Sequence, residues 1–214
     1  MNHIADIRKE YMQRSLMETD VDANAIKQFE RWWQEAIESQ IEEVNAMTLA
    51  TADANGIPHA RIVLLKGYDE TGFVFYTNYQ SKKGNDLTQN PHACLVFFWK
   101  ELERQVRIVG TVERVTTEES DSYFLSRPEE SQLGAWASEQ STTIASRLAL
   151  EQRFEQVKNE MKDKPMSRPP QWGGYRVKPN EIEFWQGRPG RLHDRLLYVM
   201  QPNSKVWEIR RLMP

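Results

Sequence analysis

Residues 46–78 read AMTLATADANGIPHARIVLLKGYDETGFVFYTN, and this stretch decides the fold. "AMTLATAD" and "IPHARIVLLKGY" are β-rich runs on either side of "ANG", a strong turn signal. "DETG" then turns the chain into "FVFYTN". Short strands follow one another with no helix between them, so the pattern is an antiparallel meander and not a βαβ rhythm.

Further along, "SKKGNDLTQNP" predicts a short helix closed by Pro91. "HACLVFFWK" and "RQVRIVGTVERV" are two more strands. "TEESDSYFLSR" is helical with Thr117 or a neighbour as N-cap, Pro128 ends it, and "PEESQLGAWAS" restarts with proline in the first turn. "SRLALEQRFEQVKNEMK" is an amphipathic helix. "YRVKP", "EIEFWQG", "LHDRLLYVM" and "KVWEIRRLMP" close the chain as strands. Before the meander, Ile26, Phe29, Trp33, Ile37 and Ile41 recur at helical spacing and predict one apolar face. Together these give a mainly β protein: an antiparallel, barrel-like sheet with peripheral helices. Residues 1–24 are polar and read as a flexible arm, and 25–214 as a single domain.

The 214 residues can bury a sizeable core, and the net charge is −3, so no global basic field points to nucleic acid. The N-terminus has no apolar core of a signal peptide, and no run reaches membrane-spanning length. The expectation is a soluble, cytoplasmic protein. Its one cysteine, Cys94, lies in "ACLVFF" and reads as a small packed hydrophobe. His3, His59, His92 and His193 show no zinc spacing, and CxxC, GxxxxGKS/T and strand-linked GxGxxG patterns are absent, so no metal, P-loop or Rossmann site is expected.

Four cationic clusters remain. If 191–198 is a strand, Arg191, His193 and Arg195 share one face, and either an anion or a carboxylate such as Glu181 or Glu183 must face them. Arg61 and Lys66 bracket an apolar strand with opposite parity, so either a bulge intervenes or they serve different groups. Ser81, Lys82 and Lys83 lie at a strand-to-helix junction, where helix amides and lysine make a phosphate site or simply a solvated loop. Tyr123 and Arg127 are i,i+4 on one helix, with Ser131 in the next first turn. They can grip a phosphate, although Glu129 and Glu130 compete. Together the clusters suggest two phosphate sites, with Gln105, Gln140 and Trp185 available for a flat ring.

Several segments carry a resemblance: "RIVLLKGYDETGFVFYTNYQSKKG", "LERQVRIVGTVERV", "YFLSRPEESQLGAWASEQS", "WGGYRV", "IEFWQG", "RLHDR" and "EIRRLMP". The chain resembles the pyridoxamine 5′-phosphate oxidase family of FMN-binding split-barrel enzymes. "SRPxxSQxGAW" and "EFWQG…RLHDR" are specific to it. The resemblance implies a homodimeric split β-barrel with FMN in a cleft between the subunits. It implies oxidation of pyridoxamine and pyridoxine 5′-phosphate to pyridoxal 5′-phosphate in vitamin B6 metabolism, with O2 consumed, H2O2 released, and ammonia released from the amine.

Carried over, FMN would be met by Arg61, Ile62, Val63, Leu64, Leu65, Lys66, Tyr76, Thr77, Lys82, Lys83, Gln105, Gln140, Ser141, Trp185 and Arg195. Substrate phosphate would be held by Lys66, Tyr123, Arg127 and Ser131. Arg191 and His193 would be the catalytic pair over the substrate ring, and Arg8 and Tyr11 would close the site from the arm. The chain departs from the family pattern at Lys82, where the family has arginine: the charge stays and the bidentate fork is lost. "GRPG" before Arg191 also departs.

Overall fold

The computed structural model describes residues 4, 10–202, 204 and 206–214. Among the described residues nine strands pair in the order β2-β1-β5-β6-β7-β4-β3, with β8 on β7 and β9 on β8. They are β1 (Ala46–Ala52), β2 (Pro58–Leu64), β3 (Gly67–Asp69), β4 (Gly72–Asn78), β5 (His92–Trp99), β6 (Arg104–Arg114), β7 (Trp172–Gln186), β8 (Asp194–Met200) and β9 (Trp207–Arg211). The helices are α1 (Ala25–Glu38), α2 (Lys82–Gln89), α3 (Thr117–Ser126), α4 (Glu129–Ala137) and α5 (Arg147–Met161). The chain gathers into two compact units. Unit 1 holds the described residues up to Leu49, Cys94–Gly110 and Pro179–Pro214, and unit 2 holds Ala50–Ala93 and Thr111–Lys178.

In unit 1, α1 starts on Asn24, whose side chain accepts from the amides of Ile26 and Lys27. Its buried face is Ala25, Ile26, Phe29, Trp32 and Ala36, which differs from the one read off the spacing. Ile37 is 45% exposed, and the helix ends before Ile41. Trp33 instead stacks on Phe29. Residues 25, 29, 32 and 36 hold a true 3.6 repeat, which keeps one stripe against the core. Trp32 packs edge-on to Phe184, which meets Tyr198, and Phe29 meets Phe97 and Trp99.

The described part of the arm is fastened to unit 1. The amides of Met12 and Gln13 donate to Glu103, and the amide of Leu16, a buried residue, donates to Asp194. Cys94 is half-buried, and burial pushes its thiol pKa up, so it carries little thiolate.

In unit 2, β4 pairs antiparallel with β7 from Phe73↔Val177 to Asn78↔Trp172. The expected single strand "IPHARIVLLKGY" breaks after Leu64, and the Lys66 amide donates to the Val74 carbonyl. Ser81 caps α2 by accepting from the Gly84 amide. A Cβ on Gly84 would lie 2.0 Å from the Tyr79 carbonyl oxygen, so only glycine lets the helix begin this close to the strand. A capping box of Thr116 and Glu119 opens α3. Pro128 disfavours helical backbone at the residue before it, so Arg127 is an extended cap and not a helical neighbour of Tyr123. Leu133 and Ala137 of α4 pack on Val157 of α5, with Trp136 and Phe154 alongside.

Candidate active site

The cationic residues fall into two groups, one in each unit. In unit 2 a cavity of about 790 Å³ is lined by Arg61, Lys66, Tyr76, Lys83, Arg127 and Trp172 among others, a size typical of small-molecule sites. Of the sequence candidates, Ile62, Val63, Leu64, Thr77, Tyr123, Ser131 and Gln140 also line it. Leu65, Lys82 and Ser141 do not: Leu65 is buried in the core, Lys82 reaches back to Asp86 at 3.3 Å, and Ser141 sits in a turn at φ +75°.

One end of the cavity lining is built on α2. Lys83 is buried, and its Nζ donates to Thr77 Oγ1 at 3.1 Å and Gln140 Oε1 at 3.0 Å. Thr77 donates to the same Gln140 oxygen at 2.9 Å. Among the described residues Lys83 makes no ion pair. Burial, and then the neighbouring charge of Arg61, bring its pKa down to about 8. Arg61 donates to Thr51 Oγ1 at 2.8 Å and lies 3.8 Å from Asp86. Burial depresses its pKa against the pull of Asp86.

A second group is built on α3 and β7. Tyr76 stacks on Tyr123 with ring centroids 3.9 Å apart, and on Trp172 at 5.5 Å. The Arg127 guanidinium lies 4.7 Å from the Trp172 ring. Its Nη1 is buried with no hydrogen-bond partner, and burial lowers its pKa. Buried donors are satisfied as a rule, so this nitrogen and the desolvated Lys83 fit a ligand with anionic groups. Trp172 and Asn78 also line the cavity and were not signalled by local charge or spacing.

Unit 1 carries Tyr11, Gln105, Trp185, Arg191, His193 and Arg195. Arg8 lies outside the described residues. Trp185, His193 and Tyr11 form an aromatic cluster, with Trp185 and His193 centroids 4.7 Å apart and Tyr11 edge-on to both. A Cβ on Gly187 would come within 2.6 Å of the Tyr11 ring, so this glycine gives the arm its seat.

The expected strand face of Arg191, His193 and Arg195 is not formed. Pro189–Arg191 is a 3₁₀ turn and β8 begins only at Asp194. The turn needs left-handed backbone at Gly190 (φ +63°) and Arg191 (φ +62°), and Arg191 is exposed. His193 Nδ1 accepts from the Arg188 amide at 3.1 Å, so the neutral ring carries its proton on Nε2. Burial, and then the Arg191 charge, lower its pKa.

Arg195 does find the carboxylate foreseen as one alternative: its Nε donates to Glu183 at 2.7 Å, and its Nη1 to the Met213 carbonyl at 2.9 Å. Arg107 takes the other Glu183 oxygen. Gln105 is half-buried on β6. Asp194 belongs to the scaffold, paired with Arg188 and Arg211. Among the described residues no three His, Cys, Asp or Glu side chains converge as a metal site, and no helix is long and apolar enough to cross a membrane.

Residues 33–160 match the model of the pyridoxamine 5′-phosphate oxidase family, and 172–214 match that of the pyridoxine 5′-phosphate oxidase C-terminal dimerisation region. The chain is 59% identical to the pyridoxine/pyridoxamine 5′-phosphate oxidase of Paraburkholderia phymatum over the whole of both chains. It is 56% identical to that of Trichormus variabilis, over 99% of this chain and 98% of the relative. Among solved structures, PhzG from Burkholderia lata in complex with tetrahydrophenazine-1-carboxylic acid aligns with TM-score 0.86 and 30% identity, covering 93% of this chain and 98% of that one. A pyridoxamine 5′-phosphate oxidase-related, FMN-binding protein of Nostoc punctiforme shares the fold at TM-score 0.70 and 16% identity, covering 91% and 100%. The mainly β architecture is thus that of the FMN-binding split barrels, and the chain belongs to the pyridoxamine 5′-phosphate oxidase family.

Proposed function

We propose that this protein is an FMN-dependent pyridoxal 5′-phosphate synthase. It oxidises pyridoxamine and pyridoxine 5′-phosphate with O2, releasing H2O2 and, from the amine, ammonia. It acts in the cytoplasm as a homodimer with FMN between the subunits. The observation that carries this reading is the unit 2 cavity, where a buried lysine and a buried arginine nitrogen both lack an anionic partner among the described residues. Two anionic groups, one on the cofactor and one on the substrate, account for both. Relatives more than half identical over the full chain bear the corresponding enzyme name.

On this reading Lys83 and Arg61, with Tyr76, Thr77 and Lys82 near them, hold the FMN phosphate, and the segment 61–66 runs beside the ring. FMN, when bound, supplies the ring that accepts a hydride from the substrate and passes electrons to O2. Lys66, Tyr123, Arg127 and Ser131 hold the substrate phosphate, and the two clamps give the reacting groups their proximity. Gln105, Gln140, Ser141, Trp185 and Arg195 complete the flavin site. His193, neutral near pH 7 because its pKa is lowered, offers Nε2–H as a donor. Arg191 orients the substrate ring. Arg8 and Tyr11 close the site from the arm.

The test is direct. The purified protein should show a flavin absorption band and form peroxide when pyridoxamine 5′-phosphate is added in air. A colourless preparation that takes up no FMN overturns the reading. Arg191→Ala should lower turnover by roughly a hundredfold with flavin still bound, and loss of flavin in that variant would move Arg191 to the cofactor.

A further inference from the structure

Arg61 is held by residues that no local motif announces. Its Nη1 donates to Thr51 Oγ1 at 2.8 Å, and the Thr51 hydroxyl in turn donates to Asp86 Oδ2 at 2.7 Å. A hydroxyl has one proton to give. Spending it on Asp86 fixes the rotor and leaves a lone pair facing the guanidinium. Thr51 is 3% exposed on β1, and Asp86 is 1% exposed on α2, so both ends of the chain of bonds rest on packed elements.

We propose that Asp86 and Thr51 form a hydrogen-bonded relay that positions the Arg61 guanidinium for the flavin phosphate, a proposal that rests on the flavin reading above. Thr51 and Asp86 are positioning residues: neither lines the cavity, and both act through Arg61.

The charges around Asp86 fit this task. Lys82 Nζ lies 3.3 Å from Oδ1, and His59 Nδ1 and Arg61 lie 3.1 Å and 3.8 Å from Oδ2. Burial opposes ionisation of Asp86. Hydrogen bonds from Thr51 and Lys82, with the charges of Lys82 and His59, outweigh it and keep the carboxyl below its ordinary pKa. The carboxylate therefore stays an acceptor, and the hydroxyl stays turned toward it. The relay also gives Lys82 a use at this position: it neutralises the relay's carboxylate at Oδ1, a point-charge task for which an ammonium suffices.

The relay predicts a selective defect. FMN and riboflavin share the ring and differ in the phosphate, so loss of Arg61 positioning should weaken FMN and spare riboflavin. Titration of the full-length, flavin-depleted protein with each ligand, followed by flavin fluorescence, reads both affinities. Thr51→Val keeps the shape and deletes the hydroxyl, and it should weaken FMN binding about tenfold with riboflavin binding unchanged. Thr51→Ala should do the same and carries the comparison should Thr51→Val fail to fold. Thr51→Ser, which restores the hydroxyl, should bind FMN like the parent.

A general packing defect would weaken both flavins together, and that result overturns the relay. So does unaltered FMN affinity in the hydroxyl-less variants. Parent protein that binds neither flavin overturns the cofactor reading, and the relay with it.

Discussion

Unit 1 and the unit 2 cavity treat their cationic side chains in opposite ways. In unit 1, Arg104 meets Glu35 and Gln186, Arg107 and Arg195 share Glu183, and Arg211 meets Glu18 and Asp194. Each of these guanidiniums has an internal carboxylate. In unit 2, Lys83 donates only to neutral oxygens among the described residues, and Arg127 leaves a buried nitrogen without any acceptor. Burying a charge is costly unless it is paired. Away from its cavity unit 2 completes its pairs too, Arg168 with Asp121 and Arg176 with Asp69 and Glu119, so the open cations at the cavity mark that site as built around anions brought from outside.

The contrast breaks most visibly at Arg104, which is 4% exposed, bound to Glu35 at 2.7 Å and set over the Trp32 ring. Glu35 keeps Arg14 and Arg31 when Arg104 is removed, but the fully buried Gln186 Oε1 loses its donor and Trp32 its cation. Arg104→Ala should therefore cost about 2 kcal/mol of folding stability, measured by urea unfolding. If instead the loss is a few tenths, unit 1's pairs are surface decoration and the contrast fails.

Arg127→Ala should behave in the reverse sense. Stability should stay within about 1 kcal/mol of the parent, since the residue's main local contact is with the Trp172 ring. The KM for pyridoxamine 5′-phosphate should rise by a factor matching about 1.5–3 kcal/mol, the worth of a charged hydrogen bond. An unchanged KM would remove Arg127 from the substrate site.

How far the sequence reveals this contrast depends on range. Arg61–Lys66, "SKKG" and "YFLSR" are each local, so their charges stand together in the chain and again in the cavity. Turn chemistry in "ANG" and "DETG" likewise sufficed for the hairpins β1–β2 and β3–β4. It did not suffice for the expected continuous meander, because β2 and β3 stand at opposite ends of the strand order and the long-range partners β5 and β7 take the inner edges. Trp172 and Asp86 could not be found this way. Strand pairing sets Trp172 opposite Asn78, and Asp86 meets Thr51 across 35 residues. Period-two reasoning failed at Arg191 because Pro189 and Gly190 form a turn that delays the strand to Asp194. Helical spacing chose Trp33 over Trp32 because both fit a three-or-four rule, and only the 3.6 repeat carried to Ala36 separates them.

Lys83 gives the finest test, because its open pairing makes it responsive to pH where the unit 1 arginines are not. Its pKa is about 8 against an ordinary 10.5. Between those values the unfolded chain holds a proton that the folded one has released, so stability rises with pH across that window. The penalty of the charged amine is fully present below pH 8. A bound phosphate reverses the preference by favouring the protonated amine.

FMN affinity should therefore be highest below pH 8 and decline above it, by at most about tenfold per pH unit. Flavin-free protein should gain stability over the same range. Lys83→Met should flatten both profiles. Arg195, whose pKa its Glu183 partner raises, stays charged throughout and adds no slope. Matching profiles for parent and Lys83→Met would mean that Lys83 is solvated or already paired, and unit 1 and the cavity would then treat their cations alike.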